Sequence, residues 1–373
     1  MKDKIKISII VGTRPNLIKI SPLLRRIKND EDVEMQFIDT GQHYDYELDE
    51  IFINELNLPK PIFLNVGSGT PGKQTGNAII RIEDEIIKFQ PCIIVVIGDT
   101  NSTLAGALTA SKLHIPVAHI EAGLRSFDMK MPEEINRIVV DHISDILFAP
   151  TENSVKNLKH EGIIDEKIFF TWDMSVDVCL ENYEIAKNSD ILKRLNINNK
   201  DFVLVTLHRQ ENADIKENLC SILDALLEIA KTYCVVFPIH PRTLKNLKAF
   251  GIFDIYSKNI DFINPVGYLD FLKLLASASC VVTDSGGVQK EALIIKTPCV
   301  TTRTTTEWIE TINLGANVIV GTDKEKIIDE VLKRSSKEFH KFMEKIENPY
   351  GDGKTSERIL KYIKAYFEKN QKY

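Results

Sequence analysis

The sequence predicts an α/β protein built from two doubly wound domains. Short runs of β-branched residues alternate with longer amphipathic stretches, the pattern of a parallel sheet covered by helices on both faces. Polar segments interrupt this pattern between Phe170 and Lys200, after which it begins again. The length of 373 residues also exceeds what one hydrophobic core usually organises, about 150 residues per domain.

Each predicted domain has its own series of strands, with helices such as Pro15 to Asn29 and Thr103 to Leu113 between them. The strands expected in the first domain are Ile5 to Val11, Met35 to Thr40, Ile93 to Ile97, Pro116 to Ile120 and Ile146 to Ala149. Those expected in the second are Phe202 to Thr206, Cys234 to Ile239, Asp261 to Ile263, Cys280 to Thr283 and Cys299 to Thr302.

We place the domains at residues 1–171 and 172–354, and we expect a last helix, 355–373, to pack back on the first domain. In such folds ligands bind beyond the carboxyl ends of the strands. The cleft between the two domains is therefore the expected active site.

Composition excludes several classes of protein. Hydrophobic residues make up 43% of the chain and charged residues 27%, as in folded globular proteins, and the net charge of −6 argues against nucleic acid as the main partner. No apolar stretch reaches the ~20 residues that span a bilayer, and no signal peptide precedes the first strand. We expect a cytoplasmic protein whose six cysteines are buried free thiols.

The first strand ends in a segment suited to an anion. Gly12 permits a tight turn, and Pro15 favours the start of a helix. Arg14 and Lys19 then lie near a helix amino terminus, where a phosphate is expected. The alternative is a solvated turn with two ordinary surface cations.

Two later strands are each followed by a carboxylate. Asp99 follows Ile93 to Ile97, and Glu121 follows Pro116 to Ile120, at strand ends where acid–base residues of α/β enzymes gather. Asp99 could instead cap the next helix. Glu121 is harder to explain structurally, because a charge beside an apolar run is costly to bury without a partner.

A helix start at Pro132 brings in another acid and a cation. Glu133 and Arg137 are four positions apart, so they share one helix face and could pair or both reach a ligand. The alternative is that Glu133 only complements the helix dipole.

In the second domain, imidazoles follow two strands. His208 comes after Phe202 to Thr206, where it suits stabilisation of phosphate charge or transfer of a proton. His240 occupies a similar strand end, although a structural histidine explains it as well.

The most specific segment runs from Cys280 to Ala292. A buried strand opens into a turn made by Ser285, Gly286 and Gly287 and then into a helix, so free backbone N–H groups can hold a pyrophosphate. Glu291 is placed for ribose hydroxyls. A tight turn without a ligand is the alternative.

Two kinds of motif do not indicate a site. The segment Gly67 to Gly72 matches Gly-x-Gly-x-x-Gly, but the strand before it is short and Pro71 interrupts the turn, so we interpret it as a mobile loop. No zinc spacing and no Gly-x-Ser-x-Gly elbow are present.

Together these segments resemble the non-hydrolysing UDP-N-acetylglucosamine 2-epimerase family. The matching stretches cover nearly the whole chain in order: Gly12-Thr-Arg-Pro, Thr40-Gly-Gln-His-Tyr, Gly98-Asp-Thr-Asn-Ser-Thr, His119-Ile-Glu-Ala-Gly-Leu-Arg, Pro132-Glu-Glu-Ile-Asn-Arg, Leu207-His-Arg, Thr283-Asp-Ser-Gly-Gly-Val-Gln and Asn348-Pro-Tyr-Gly-Asp-Gly. The resemblance implies a GT-B-like, Rossmann-like fold, a homodimer, and interconversion of UDP-GlcNAc and UDP-ManNAc without NAD or metal.

The resemblance also implies a mechanism. A carboxylate removes the C2 proton while UDP leaves C1, which gives a 2-acetamidoglucal, and reprotonation on the other face with return of UDP completes the inversion. It assigns acid–base chemistry to Asp99, Glu121 and Glu133, charge stabilisation at the diphosphate to Arg14, Lys19 and His208, and UDP or substrate binding to Arg137, His240, Ser285, Gly286, Gly287 and Glu291. Which acid acts on which face stays open.

Two stretches depart from the family. Many members have Gly-Asn-Thr and Glu-Arg-Pro-Glu where this chain has Trp172-Asp-Met and Glu307-Trp-Ile-Glu. Trp308 thus replaces an arginine near the ligand, which resembles the branch that epimerises UDP-2,3-diacetamido-2,3-dideoxyglucuronate, the alternative function. Trp308 could also be a packing aromatic. The sequence also allows a GT-B glycosyltransferase or a nucleotide-sugar sensor without turnover.

Overall fold

The computed structural model describes residues 4–42, 53, 58–198 and 201–370. His43 and Tyr44 of the Thr40 motif lie outside the described residues. The chain divides into two compact units, residues 1–178 with 350–373 and residues 179–349. The division falls inside a helix, Met174–Ala186, rather than at residue 171.

The first unit contains a parallel sheet with helices on both faces. Among the described residues the sheet has seven strands in the order β3-β2-β1-β4-β5-β6-β7. Their bounds are β1 Ile5–Val11, β2 Val33–Asp39, β3 Ile62–Phe63, β4 Ile93–Ile97, β5 Val117–Ile120, β6 Ile146–Ala149 and β7 Ile168–Phe170. The helices are α1 Arg14–Lys28, α2 Pro71–Phe89, α3 Asn101–Lys112, α4 Pro132–Ile143, α5 Glu152–His160 and α6 Met174–Ala186, with a 3₁₀ turn at Asp165–Lys167.

The central strands of this sheet are buried on both faces. Ile9 and Val95 belong to the core on one face, whereas Ile10 and Val96 belong to the core on the other. Because β1 pairs with β4 in parallel register, each face receives alternate residues from both strands. This double burial explains why both strands are continuous apolar runs in the sequence.

The end of the chain returns to the first unit as helix α17, Thr355–Asn370. Ile359 and Ile363 enter the same core as Leu17 of α1. The buried carboxylate of Asp177 accepts hydrogen bonds from the backbone N–H groups of Thr355 (3.0 Å) and Ser356 (2.8 Å). These bonds satisfy two of the N–H groups that the first turn of a helix leaves without a partner.

The second unit repeats the architecture. Among the described residues its sheet has six parallel strands in the order β10-β9-β8-β11-β12-β13. Their bounds are β8 Phe202–Thr206, β9 Cys234–Pro238, β10 Asp261–Ile263, β11 Cys280–Thr283, β12 Cys299–Thr301 and β13 Asn317–Ile319. The helices are α7 Ile191–Arg194, α8 Gln210–Ala213, α9 Lys216–Ile229, α10 Pro241–Ala249, α11 Phe253–Tyr256, α12 Tyr268–Ser277, α13 Gly286–Ile295, α14 Ile309–Asn313, α15 Lys324–Arg334 and α16 Lys337–Lys345.

The predicted fold class, two doubly wound α/β domains, is confirmed. All ten predicted strands are present, with ends that differ by at most about two residues, within the usual uncertainty of such boundaries. The sequence analysis missed β3, β7 and β13, which have two or three residues each and lie at the edges of their sheets. Such short, partly exposed strands carry too few apolar residues to be recognised.

Two local interpretations need correction. Residues 67–70 form a loop, but Gly72 is not part of it. Pro71 is the first residue of the 19-residue helix α2, a position that favours proline. The cysteines are free thiols, but only Cys179, Cys280 and Cys299 are buried. Cys220 and Cys234 are partly exposed, and Cys92, just before β4, is exposed. None of the helices in the described ranges is apolar over enough residues to cross a membrane.

Candidate active site

In both sheets the strand order changes direction beside the first strand of the unit. The change lies between β1 and β4 in the first sheet and between β8 and β11 in the second. Connections from these neighbouring strands leave in opposite directions, so a crevice opens beyond their carboxyl ends. Arg14 and Asp99 follow β1 and β4, and His208 and Ser285 follow β8 and β11. Each unit therefore places one group of predicted site residues at its own switch point.

Gly12 allows the end of β1 to approach neighbouring side chains closely. A Cβ on Gly12 would lie 1.9 Å from Ser102 Oγ and 2.7 Å from Thr40 Oγ1, so a larger residue would not fit. Arg14 follows as the first residue of α1 and is exposed. The residue before it, Thr13, does not cap the helix with its side chain. The Thr13 side chain thus leaves the first-turn N–H groups of α1 uncapped, and an anion at this position stays a prediction.

Lys19 and Glu121 form an ion pair at this switch point. The Lys19 Nζ lies 2.7 Å from Oε1 and 2.9 Å from Oε2 of Glu121, whose side chain is 10% exposed. Burial alone would lower the pKa of Lys19, but Glu121, with Asp173 and Asp99 nearby, raises it above its ordinary value. Lys19 therefore stays charged. Asp173, from the stretch that departs from the family, had not been recognised as a neighbour of this pair.

Asp99 is held by Arg137. The Nη2 and Nε atoms of Arg137 lie 2.6 and 3.0 Å from Asp99 Oδ2, and Asn136 Nδ2 donates to the Asp99 carbonyl at 2.8 Å. The cap of the following helix is Thr100, whose side chain accepts the N–H of Thr103. The interpretation of Asp99 as that helix cap is therefore wrong, and its carboxylate is available for chemistry.

The acid that orients Arg137 is Glu134, not Glu133. Arg137 Nη1 lies 2.9 Å from Glu134 Oε2, because positions three apart on this helix also share a face. Glu133 is exposed and makes no hydrogen bond or ion pair with any residue in the described ranges. The suggestion that Glu133 pairs with Arg137 is thus wrong, although its carboxylate stays accessible for a ligand.

Glu134 is buried and fully used by its neighbours. Its oxygens also accept the backbone N–H groups of Ser126 (2.9 Å) and Phe127 (2.8 Å). Burial would raise the pKa of Glu134, but these three hydrogen bonds lower it to about 2. The sequence analysis missed Glu134 because the residue adjacent to it in the same motif had the more favourable i,i+4 spacing.

In the second unit, a buried aspartate holds His208. Asp284 is fully buried, and its Oδ1 lies 3.1 Å from Nδ1 of His208. The backbone N–H groups of His208 and Arg209 donate to the same carboxylate. Burial would raise the pKa of Asp284, but His208 and these N–H groups lower it. Asp284 belongs to the quoted Thr283 motif, yet its role as a partner of His208 was not predicted.

The two predicted imidazoles of this unit lie near each other. The ring centroids of His208 and His240 are 5.8 Å apart. His240 also caps α10, because its Nδ1 accepts the N–H of Arg242 at 3.2 Å. The structural interpretation of His240 therefore applies, and a role in binding remains a prediction.

The turn of Ser285, Gly286 and Gly287 after β11, the predicted anion cradle, leads directly into α13. Ser285 occupies the N-cap position of α13 without using its side chain as a cap. A Cβ on Gly286 would lie 2.1 Å from Glu307 Oε1 and 3.2 Å from Trp308 Nε1, so packing within the chain requires that glycine. Gly287 is exposed, and a Cβ there would meet only Ser285 Oγ, at 3.9 Å. Space for a ligand thus exists at Gly287.

Glu291 lies in the second turn of α13 beside an aromatic hydroxyl. The Oη of Tyr268 donates to Glu291 Oε1 at 2.9 Å. Loss of hydration raises the pKa of Glu291 to about 7, and burial with the nearby Glu291 also raises the pKa of Tyr268. Binding of ribose hydroxyls by Glu291 stays a prediction. Tyr268 was not identified from the sequence.

Comparison with known proteins places the whole chain in one group. A sequence model of the family described as UDP-N-acetylglucosamine 2-epimerase matches residues 25–364. The UDP-N-acetylglucosamine 2-epimerase of Methanocaldococcus jannaschii is 49% identical over 368 residues, which cover 96% of this chain and 98% of that protein. The UDP-2,3-diacetamido-2,3-dideoxy-D-glucuronate 2-epimerase of Pseudomonas aeruginosa is 44% identical over 363 residues, covering 96% and 99%. A crystal structure of the M. jannaschii UDP-GlcNAc 2-epimerase in complex with UDP-GlcNAc and UDP has a TM-score of 0.74 at 48% identity and covers 97% of this chain and 100% of its own.

The hydrogen bonds of Glu134 give a pH-dependent prediction. Glu134→Gln should lower the free energy of unfolding at pH 7 by about 1.5–3 kcal/mol, the range for a hydrogen bond to a charged group. Because the folded-state pKa is about 2 and the ordinary value 4.5, this stabilisation is present above 4.5 and is lost as the pH falls toward 2. Denaturant unfolding of both proteins at pH 3, 5 and 7 measures it.

The matched control for this experiment is Glu133→Gln, on the same helical turn, which should leave stability unchanged within about 0.5 kcal/mol. A stability difference for Glu134→Gln that is the same at pH 3 and pH 7 would contradict the prediction.

Proposed function

The chain belongs to the UDP-N-acetylglucosamine 2-epimerase family, an isomerase family with the GT-B-like fold, and we propose that it interconverts UDP-GlcNAc and UDP-ManNAc. The observation that carries the proposal is the pair of carboxylates, Asp99 and Glu121, at the switch point of the first unit. Each is ion-paired with a cation, Arg137 or Lys19. Neither NAD nor a metal ion takes part in the proposed reaction.

The proposed reaction needs acid–base groups on two faces of one carbon. The C2 proton of an acetamido sugar is weakly acidic, and its removal is easier when the C1–O bond to UDP breaks at the same time. Asp99, Glu121 and the exposed Glu133 supply carboxylates for removal of that proton and for its return on the opposite face. Arg14 and Lys19 stabilise the negative charge that develops on the departing diphosphate.

The second unit is proposed to hold UDP. Ser285, Gly286 and Gly287 present the N-terminal N–H groups of the ten-residue helix α13 to the phosphates. Asp284 occupies Nδ1 of His208, so Nε2 is the ring nitrogen that can contact a phosphate oxygen. Glu291 accepts the ribose hydroxyls. The acids described in the first unit and the anion-binding turn proposed in the second each supply a different part of what the reaction requires.

The first experiment is isotope exchange at C2 in heavy water. The wild-type protein should incorporate deuterium at C2 of UDP-GlcNAc with no acceptor present. Glu121→Gln should lower that rate by about 10²-fold or more, because it removes a carboxylate proposed to act as acid or base. Mass spectrometry of the recovered sugar measures the exchange.

A surface Lys–Glu pair provides the control. Glu85 lies 2.7 Å from Lys88 on α2, and Glu85→Gln should keep the wild-type exchange rate. Sugar that stays unlabelled after long incubation with wild-type protein would refute the epimerase proposal, and transfer of the sugar to an acceptor would indicate a glycosyltransferase instead.

A second candidate function is epimerisation of UDP-2,3-diacetamido-2,3-dideoxyglucuronate. Trp308 replaces the family arginine and lies against Gly286 of the cradle. The buried Lys290 places its Nζ 4.6 Å from the centre of the Trp308 ring, so a cation lies beside this wall of the cradle. A uronate carboxylate is a group that such a cation could stabilise.

Assaying the two UDP-sugars side by side separates these functions. We expect kcat/KM for UDP-GlcNAc to exceed that for the diacetamido uronate by about tenfold or more, which corresponds to about 1.4 kcal/mol of transition-state binding. The opposite order would support the second candidate. In that case Lys290→Met should lower kcat/KM for the uronate and leave that for UDP-GlcNAc within about twofold.

We also propose that the protein is a homodimer. The face of α2 exposes Ile80 (61%) and Ile87 (57%). On the same helix Gly72 and Gly76 have open space where a Cβ would lie. This combination of apolar side chains and accessible backbone suits close packing against a second copy.

Light scattering tests the association. The mass should be about twice 42.3 kDa, and a double variant with Ile80→Lys and Ile87→Lys should shift it toward the monomer. Ile255→Lys, at an isoleucine of similar exposure in the second unit (58%), should have no effect. A monomeric wild-type protein would overturn this proposal.

A further inference from the structure

A buried polar cluster lies directly behind the two acid-bearing turns of the first unit. It consists of His119 on β5, Asp141 on α4 and the guanidinium of Arg125, and the side chains of all three are at most 1% exposed. These residues do not border the crevice themselves. Burying three ionisable groups together is costly, so each must be closely paired to be tolerated.

Both ring nitrogens of His119 face hydrogen-bond acceptors. Nδ1 lies 2.6 Å from Asp141 Oδ1, and Nε2 lies 2.9 Å from the carbonyl oxygen of Gly98. One ring thus bridges the carboxylate of Asp141 on α4 and the backbone of the turn after β4.

Asp141 extends the connection to a second turn. Its Oδ2 accepts the backbone N–H of Gly123 at 3.0 Å and lies 2.8 Å from Nη1 of Arg125. Arg125 in turn makes a bidentate pair with Glu161, at 2.7 and 2.6 Å. Burial would raise the pKa of Asp141, but His119 and Arg125 lower it, so this carboxylate stays an acceptor.

The backbone groups held by this cluster flank the two proposed acid–base residues. Gly98 immediately precedes Asp99, and Gly123 lies two positions after Glu121. Gly98, Glu121 and Gly123 have φ of +72°, +71° and +78°, a conformation that L side chains rarely adopt. A Cβ on Gly98 would lie 3.5 Å from Glu121 Oε2, so the two turns are adjacent. The backbone conformation of Glu121 is strained for a residue with a side chain, and such strain persists only when the surrounding structure fixes it.

We propose that His119 is a positioning residue for epimerisation: through the Gly98 carbonyl and, by way of Asp141, the Gly123 N–H, it fixes the separation of the Asp99 and Glu121 carboxylates. This inference rests on the proposed function. Acid–base groups must be held within about 0.5 Å of their working geometry, and a displacement of about 1 Å can cost about 10²-fold in rate. A single imidazole ring linked to both turns keeps the two carboxylates at a fixed separation.

Two amide substitutions separate the two contacts of the ring. In His119→Asn the amide N–H can replace Nδ1 and keep the bond to Asp141, but the bond to the Gly98 carbonyl is lost. In His119→Gln the longer amide can replace Nε2 and keep the bond to Gly98, but the bond to Asp141 is lost. Either change should loosen one turn relative to the other while preserving most of the buried volume.

We expect each variant to lower kcat for C2 exchange by about 10²-fold, with KM for UDP-GlcNAc and the affinity for UDP within about threefold of wild type. A residue that only stabilises the fold would instead lower the melting temperature and leave kcat of the folded protein unchanged. His160→Gln, at an exposed histidine of the same unit, should match wild type in every measurement. Exchange kinetics, calorimetric titration with UDP and thermal unfolding provide the three measurements.

The outcomes are distinct. Wild-type kcat in both variants, or a change confined to KM, overturns the positioning role. If either variant fails to fold, Asp141→Asn is measured in its place. Asparagine has nearly the same shape as the Asp141 side chain that contacts His119, and the same loss of kcat is expected. Absence of exchange in the wild-type protein refutes the proposed function rather than this inference.

Discussion

The first unit depends on compensation of negative charge at the carboxyl edge of its sheet. Several acids lie there, at the ends of β4 and β5 and on α4. Among the described residues, each of these acids contacts a cation or backbone N–H groups, except the exposed Glu133. The pairs are Glu121 with Lys19, Asp99 and Glu134 with Arg137, and Asp141 with His119 and Arg125. Without these partners the carboxylates would repel one another, and no ion pair or hydrogen bond would compensate for their loss of hydration.

This compensation also sets the chemical state of the site. Its effect is clear for two buried acids: the pKa of Glu134 is lowered to about 2 and that of Asp141 is also lowered, so both stay anionic near neutral pH. The cation beside each paired carboxylate also restricts the orientation of that side chain, so an ion pair both compensates the charge and fixes the direction of the carboxylate. Glu134 is the extreme case, because both of its carboxylate oxygens accept hydrogen bonds from Arg137 or from two backbone N–H groups. This environment suits Glu134 to orient Arg137 rather than to react.

In the second unit, the surroundings of two nearby acids, Asp284 and Glu291, shift their pKa values in opposite directions. Asp284 is surrounded by donors, and its pKa is lowered. Loss of hydration raises the pKa of Glu291 to about 7, although the hydroxyl of Tyr268 donates a hydrogen bond that acts in the opposite direction. Glu307 and Trp308 then close one side of the cradle at Gly286. The balance between burial and the donors that face each carboxyl group decides the direction in which its pKa shifts.

The sequence by itself determined the layers of both sheets, the family and most residues of the candidate site. Strands buried on two faces must be continuous apolar runs, and strand ends must carry the polar residues, so Asp99, Glu121, His208 and the Ser285 turn could be recognised locally. Only the tertiary structure decided which side chains meet. His119 and Asp141 are 22 positions apart. Glu134 rather than Glu133 accepts the N–H groups of Ser126 and Phe127, because its face of α4 is the buried one. Partners that approach through folding, rather than through spacing along one element, leave no periodic signal in the chain.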